Sequence, residues 1–402
     1  MASPTEGDAR AERRRSERRN RRTAIVRRRL IALAAVAALA AVTGAIVGAG
    51  GDDGEDEPGP GSGPGAETGF ECPAEVAANP RRLVGQMLIV RMEATATDGM
   101  RRALRRGEIG GVVLFPPAGT GQGELRREIQ ALHDAAAGAG APAPLVMVDQ
   151  EGGEVKRLPA LPPDRRPARI AAGGEAFAFD EGRATGVALT ALGIDVDLAP
   201  VLDVPATPDA FIASRAFGDD PAVVARTGAA FGDGLAAAGV AATAKHFPGL
   251  GLATVNTDLA SSSIDATRRQ LEPGLEPFRA AIAAGFGLVM VANATYPAYD
   301  GERIASLSPR VIDGLLRRRL GFDGVVITDD LGAGALVDAG IDEGEAAVRA
   351  AQAGADLLLF ALSSGADARA ALVRGLRDGR IERRALIASC ARTTALRARL
   401  AG

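Results

Sequence analysis

The sequence predicts an α/β fold, a (β/α)8 TIM barrel, on three observations. Short apolar runs alternate with longer helical stretches eight times between Cys72 and Gly402. The runs are rich in Val, Leu and Ile with little polar alternation, as in parallel strands covered on both faces. The unusual polar residues gather just after the runs, where a barrel carries its chemistry.

The eight runs are QMLIV (86–90), GGVVLF (110–115), LVMVD (145–149), IDVDL (194–198), AATAKH (241–246), GLVMVAN (287–293), GVVITD (324–329) and ADLLLF (355–360). Between them lie Ala-, Arg-, Leu- and Glu-rich stretches at helical spacing, such as 123–140 and 174–193, each ending in Gly as helices often do. An open doubly wound sheet is the alternative. It usually carries a Gly-rich phosphate turn after its first strand, and here that place reads RMEATATDG. GTGQGE at 119–124 follows the second run and has the wrong register for a dinucleotide fingerprint.

Composition narrows the function. The chain has 402 residues, 47% hydrophobic and 24% charged, enough to bury a large core. A net charge of -3 excludes a chain that is basic overall and built for nucleic acid. Two Cys and two His exclude a Cys/His zinc cluster. With no Trp and two Tyr, a broad aromatic platform for long polysaccharides is not expected.

The first 71 residues read separately from the rest. Residues 1–29 hold 11 Arg against four acidic groups, an Arg-rich tail. Leu30 to Gly50 is a run of 21 residues without a charge, long enough to cross a bilayer. It reads as a single-pass membrane anchor with the Arg-rich end inside the cell and the remainder outside; a cleaved signal peptide, which would release a secreted protein, is the alternative. Residues 51–71 are Gly, Pro and acid, a linker composition. Cys72 opens the folded region, 72–402, and Cys390 nearly closes it. Outside the cytoplasm they can pair if the fold brings its ends together; two unrelated thiols is the other reading.

The polar residues after the runs form the candidate site. The third run leads to Asp149, Gln150 and Glu151, the fourth to Asp197, Asp203 and Arg215, the fifth to Lys245 and His246, and the seventh to Asp329 and Asp330. A carboxylate at a rigid strand end suits a nucleophile, although Asp also favours helix N-caps; Asp330 is the more natural cap. His133 sits within a helical stretch and reads as a surface residue.

The stretches VDQEGG, DLAPVLDV, SRAFG, KHFPGLG and GFDGVVITDDLGAGA resemble glycoside hydrolase family 3, specifically the single-domain β-N-acetylhexosaminidases of bacterial wall recycling. The resemblance spans nearly all of 72–402. It implies a retaining mechanism with Asp329 as nucleophile and a sugar held by Asp149, Arg215, Lys245 and His246, with no metal or organic cofactor. It also implies a small carbohydrate as substrate, with N-acetylglucosamine and glucose both open. The pattern breaks on the loop after KHFPG. Those hexosaminidases carry Asp-Ser-His there, with His as acid/base; this chain has Asn256-Thr257-Asp258. Asn293 also stands where the family often has His. Asp258 is therefore a candidate acid, with Asn256 hydrogen-bonding its protonated form. Glu151 or Glu154 is an alternative acid, a catalytically impaired sugar-binding wall protein is a third reading, and a plain turn at 256–258 is the bland one.

Overall fold

The computed structural model describes residues 69–401. The tail, the anchor at 30–50 and nearly all of the linker lie outside the described residues. Among the described residues no helix is long and apolar enough to cross a membrane.

All eight apolar runs are strands of one parallel sheet: β1 (Leu88–Met92), β2 (Gly111–Leu114), β3 (Leu145–Val148), β4 (Val196–Asp197), β5 (Ala241–Phe247), β6 (Leu288–Val291), β7 (Val325–Thr328) and β8 (Leu358–Phe360). Neighbours in sequence are neighbours in space from β1 to β7, and β8 pairs with β1. An Ile327–Leu357 bridge joins β7 to the start of β8, so the sheet closes almost completely. Every core strand is buried on both faces, which is why the runs show no alternation.

Two apolar layers result. Ile89, Val113, Met147, Leu288 and Ile327 fill the barrel. A larger layer lies between the strands and the outer helices and includes Val112, Phe231, Phe278 and Phe360. The helices Glu175–Thr190 and Pro221–Ala237 approach closely because Gly182 and Gly234 face the partner backbone. A Cβ on Gly182 would lie 2.0 Å from Phe231 O, and one on Gly234 2.2 Å from Phe179 O. Neither position admits a larger residue without moving a helix.

The chain ends do meet. Cys72 and Cys390 form a disulfide that ties the start of the barrel to the final helix, Arg383–Ala401, across 318 residues of sequence. His133 is half-buried on the helix Gln122–Ala137.

Candidate active site

The C-terminal ends of β3, β4 and β5 bring four charges together. Lys245 is fully buried at the end of β5. Its Nζ donates to Asp149 Oδ1 at 2.8 Å and lies 2.6 Å from Glu151 Oε1. Arg215 grips the same Glu151 with two parallel bonds, Nε to Oε2 at 2.9 Å and Nη2 to Oε1 at 2.7 Å. Burial works to raise the Glu151 carboxyl, but Lys245 and Arg215 outweigh it and hold the pKa at about 2. The same pairings raise Lys245 and Arg215 against the opposing effect of burial. Glu151 is thus a permanent anion, and the alternative of Glu151 as a proton donor is corrected by these two cations. Lys245 keeps one of its three N–H donors free of these pairings, and Arg215 keeps its Nη1 face. Glu154 accepts a hydrogen bond from Ser214 Oγ at 2.9 Å.

Behind this cluster two buried carboxyls organise the floor. Asp203 Oδ1 accepts the backbone N–H groups of His246 at 3.3 Å and Leu250 at 2.6 Å. Its Oδ2 lies 2.7 Å from His246 Nδ1. A carboxylate there accepts the Nδ1–H and leaves Nε2 as the free face of the ring. Asp203 is therefore both an anchor for His246 and a cap for the loop that follows. Asp197 accepts the Gln150 N–H at 3.0 Å through one oxygen and has no partner for the other. Burial pushes its carboxyl up to about 8, so it carries a proton at neutral pH.

Asp329 leaves the end of β7 with part of its surface open. One oxygen accepts the Asp330 N–H at 2.8 Å. Among the described residues no cation forms an ion pair with it. Burial and then the charge of Asp258 raise its pKa to about 6, with His246 pulling the other way. Asp330 does not cap a regular helix, contrary to the sequence reading. Its Oδ1 accepts the N–H groups of Gly332 at 3.1 Å and Ala361 at 3.0 Å, tying the loop after β7 to β8. Asn293 takes part in the same scaffold: its Nδ2 donates to Asp330 O at 2.8 Å and its Oδ1 accepts Ser306 Oγ at 2.6 Å.

Residues 81–396 match the model of the Glycosyl hydrolase family 3 N terminal domain. The chain belongs to glycoside hydrolase family 3. A β-hexosaminidase of Stenotrophomonas maltophilia is 39% identical over 268 residues, 63% of this chain and 77% of that one. An uncharacterized secreted glycosyl hydrolase of Arthroderma benhamiae is 34% identical over 316 residues, 76% of this chain and 89% of its own length. Among solved structures, a family 3 β-N-acetylglucosaminidase from Paenibacillus superimposes with a TM-score of 0.76 at 35% identity. That comparison covers 80% of this chain and 62% of the Paenibacillus enzyme, which is the longer protein. The chain is accordingly a glycosidase, similar to the β-hexosaminidases.

Against that family pattern the loop after β5 stands out. Asn256 Oδ1 accepts the backbone N–H of Asp258 at 3.0 Å, an Asx turn. The turn engages the Asn256 oxygen with the backbone of Asp258 and leaves the Nδ2 donors outside that bond. The loop is pinned to the segment after β7, where Gly334 N donates to Asp258 O at 2.9 Å and Ala335 N to Thr257 O at 3.1 Å. Gly334 is required for this approach, since a Cβ there would sit 2.2 Å from Leu259 O. Asp258 itself is exposed.

Two groups escaped the sequence reading. Arg157 lies 3.7 Å from Asp149 Oδ2, its Nε is buried without a hydrogen-bond partner, and its guanidinium stacks on Phe115 at 4.4 Å. Tyr296 is buried beside Asp203 and Asp329 and donates to Gly249 O at 2.9 Å. The eight-residue offset of Arg157 from Asp149 spans a short hairpin, Gln150–Gly152 with Val155–Lys156, that brings Arg157 back over the third strand end. Neither strand of that hairpin has an apolar pattern to reveal it.

Proposed function

We propose that the barrel is a retaining exo-β-glycosidase that removes a terminal N-acetylglucosamine from small wall-derived sugars, with Asp329 as its nucleophile. The observation that carries this reading is the setting of Asp329: a strand-end carboxylate, partly open, with no ion pair to a cation among the described residues and within the electrostatic influence of Asp258. A nucleophile must be ionised yet not tied up in an ion pair, and then form a glycosyl ester. Asp149 and the free donors of Lys245 and Arg215 hold the sugar hydroxyls, with Arg157 beside them. His246, oriented by Asp203, offers Nε2 to the bound ring.

Asp258 is the acid/base in this reading. Its charge acts on Asp329, which sets the two carboxylates in one electrostatic field, as a nucleophile and acid/base pair require. The catalytically impaired reading draws on the missing acid/base His, since this chain has Asn256-Thr257-Asp258 on that loop. The disulfide supports work outside the cytoplasm, in line with the domain plan of tail (1–29), apolar segment (30–50), linker (51–71) and barrel (72–402). A secreted relative favours release over a retained anchor.

The test is hydrolysis of aryl β-N-acetylglucosaminide and aryl β-glucoside by the purified protein and by Asp329→Ala. Loss of at least about 10³-fold in kcat/KM is expected. Cleavage unchanged by the substitution removes Asp329 from the mechanism.

A further inference from the structure

The two carboxylates assigned above to the bond-breaking step stand on different loops, Asp258 after β5 and Asp329 after β7. The first loop is fastened at both of its ends. Tyr296 donates to Gly249 O at 2.9 Å where the loop begins. Thr295 holds its far end, donating to Ser262 O at 2.9 Å and accepting the Ile264 N–H at 2.8 Å. Near its start Gly251 O accepts the Ala206 N–H at 2.9 Å, which ties it to the loop after β4. Its middle is a turn, where Asn256 O accepts the N–H groups of Leu259 at 3.0 Å and Ala260 at 3.2 Å.

That turn and the nucleophile loop cap each other. The short helix Gly334–Asp338 follows Asp329, and the first N–H groups of a helix have no partner within it. Here the carbonyls of Asp258 and Thr257 accept those of Gly334 and Ala335. In return Asp338 Oδ2 accepts the Ser261 N–H at 3.0 Å, and Ala335 O accepts Ser261 Oγ at 3.3 Å. The stretch between Asp329 and this join is itself held, since Asp330 Oδ1 binds the N–H groups of Gly332 and Ala361. The two backbones come closest at Gly334. A Cβ there would lie 2.2 Å from Leu259 O, 2.3 Å from Leu259 C and 2.9 Å from Ala260 N. All three are backbone atoms, so no side-chain rotation relieves the contact. Restoring an ordinary contact distance requires the Asp258 loop to withdraw by about 1 Å.

We propose that Gly334 is a positioning residue for acid catalysis, its bare Cα setting how far the Asp258 carboxyl stands from Asp329. The inference rests on the reading of these two carboxylates as acid/base and nucleophile. A retaining pair needs a defined separation between its carboxyls. Asp258 is exposed, and among the described residues no side chain pairs with its carboxyl. Its place is therefore set by the backbone that carries it, and that backbone rests on Gly334.

The experiment measures kcat/KM for phenyl and dinitrophenyl β-N-acetylglucosaminide. Phenol leaves poorly and needs a proton; dinitrophenol leaves without one. A misplacement of about 1 Å costs up to about 10²-fold in a step that depends on orientation. Gly334→Ala is expected to lose at least about tenfold on the phenyl substrate and less than about threefold on the dinitrophenyl one. In Gly334→Ala/Asp258→Ala the phenyl rate should equal that of Asp258→Ala, because the added methyl then has no acid to displace. A similar loss on both substrates, no loss on either, or a double variant worse by the full Gly334→Ala factor overturns the inference. If circular dichroism shows Gly334→Ala unfolded, Asp338→Ala decides, an exposed substitution that removes the Ser261 tether and keeps Gly334. A loss of about threefold or more confined to the phenyl substrate upholds the inference, and any other pattern overturns it. Equal phenyl rates in Asp258→Ala and parent overturn the acid reading and this inference with it. A selective loss in Asp258→Ala without one in Gly334→Ala overturns the inference alone.

Discussion

Two groups of carboxylates share the barrel mouth, and they are treated in opposite ways. At the ends of β3 to β5, Asp149 and Glu151 are matched by Lys245 and Arg215 through bonds of 2.6–2.9 Å. At the end of β7, Asp329 has no ion pair with a cation among the described residues and feels the charge of Asp258 instead. The first arrangement fixes charge and geometry before any ligand arrives. The second leaves a carboxylate under-stabilised, with its pKa raised to about 6 where Glu151 is lowered to about 2. The groups proposed to bind are paired with opposite charges; the group proposed to react is kept short of partners, as perturbed functional groups often are.

Breaking the second arrangement should have the larger effect on rate. Asp258→Ala is expected to lower kcat/KM by about 10²–10⁴-fold for substrates with a poor leaving group. The loss should shrink for a dinitrophenyl leaving group, which needs no proton. Equal rates for Asp258→Ala and parent on both substrates separate Asp258 from acid catalysis.

Breaking the first arrangement should cost stability. Glu151→Gln leaves Lys245 and Arg215 buried with one charged partner fewer, a loss of about 3–5 kcal/mol. Denaturant unfolding measures it, with a rise in KM in whatever enzyme remains folded. A loss below about 1 kcal/mol means that the cluster is not held as described.

The smallest effect sharpens the contrast. Because the folded-state pKa of Asp329 lies above its ordinary value, the folded protein holds that proton more tightly than the unfolded chain. Stability then falls as pH rises from about 4 to about 6, and the penalty is fully present above that. Asp329→Asn should raise Tm by roughly 2–4 °C at pH 7.5 and change it little at pH 4. In the parent, kcat/KM should rise with pH through about 6 as Asp329 ionises. A stability gain of equal size at both pH values contradicts the raised pKa.

The sequence made the barrel legible because its strands are buried on both faces, so each appears as an uninterrupted apolar run. Asp149, Lys245, His246 and Asp329 were legible for a related reason: a charged residue directly after such a run has to emerge at the barrel mouth. Pairings across long separations were not. Glu151 stood as an alternative acid because nothing local announces that Arg215, 64 residues away, grips it with two bonds. Asp356 went unread at the opposite end of the barrel, where it is held by Arg317 at 2.7 Å and Arg392 at 2.8 Å. Its pKa is lowered by those two guanidinium groups in spite of burial, so a lone Asp before an apolar run proves to be a structural anchor. At Asn256 the sequence left a plain turn and a side-chain partner for Asp258 both open, because both begin with the same residues; the Asx turn is present.

The central claim is that the Asp329 carboxylate forms the bond to the sugar. A 5-fluoro N-acetylglucosaminyl fluoride should inactivate the protein with time, and digestion followed by mass spectrometry should place the added sugar on the peptide containing Asp329. An adduct on any other carboxylate, or steady turnover without a trapped species, contradicts it.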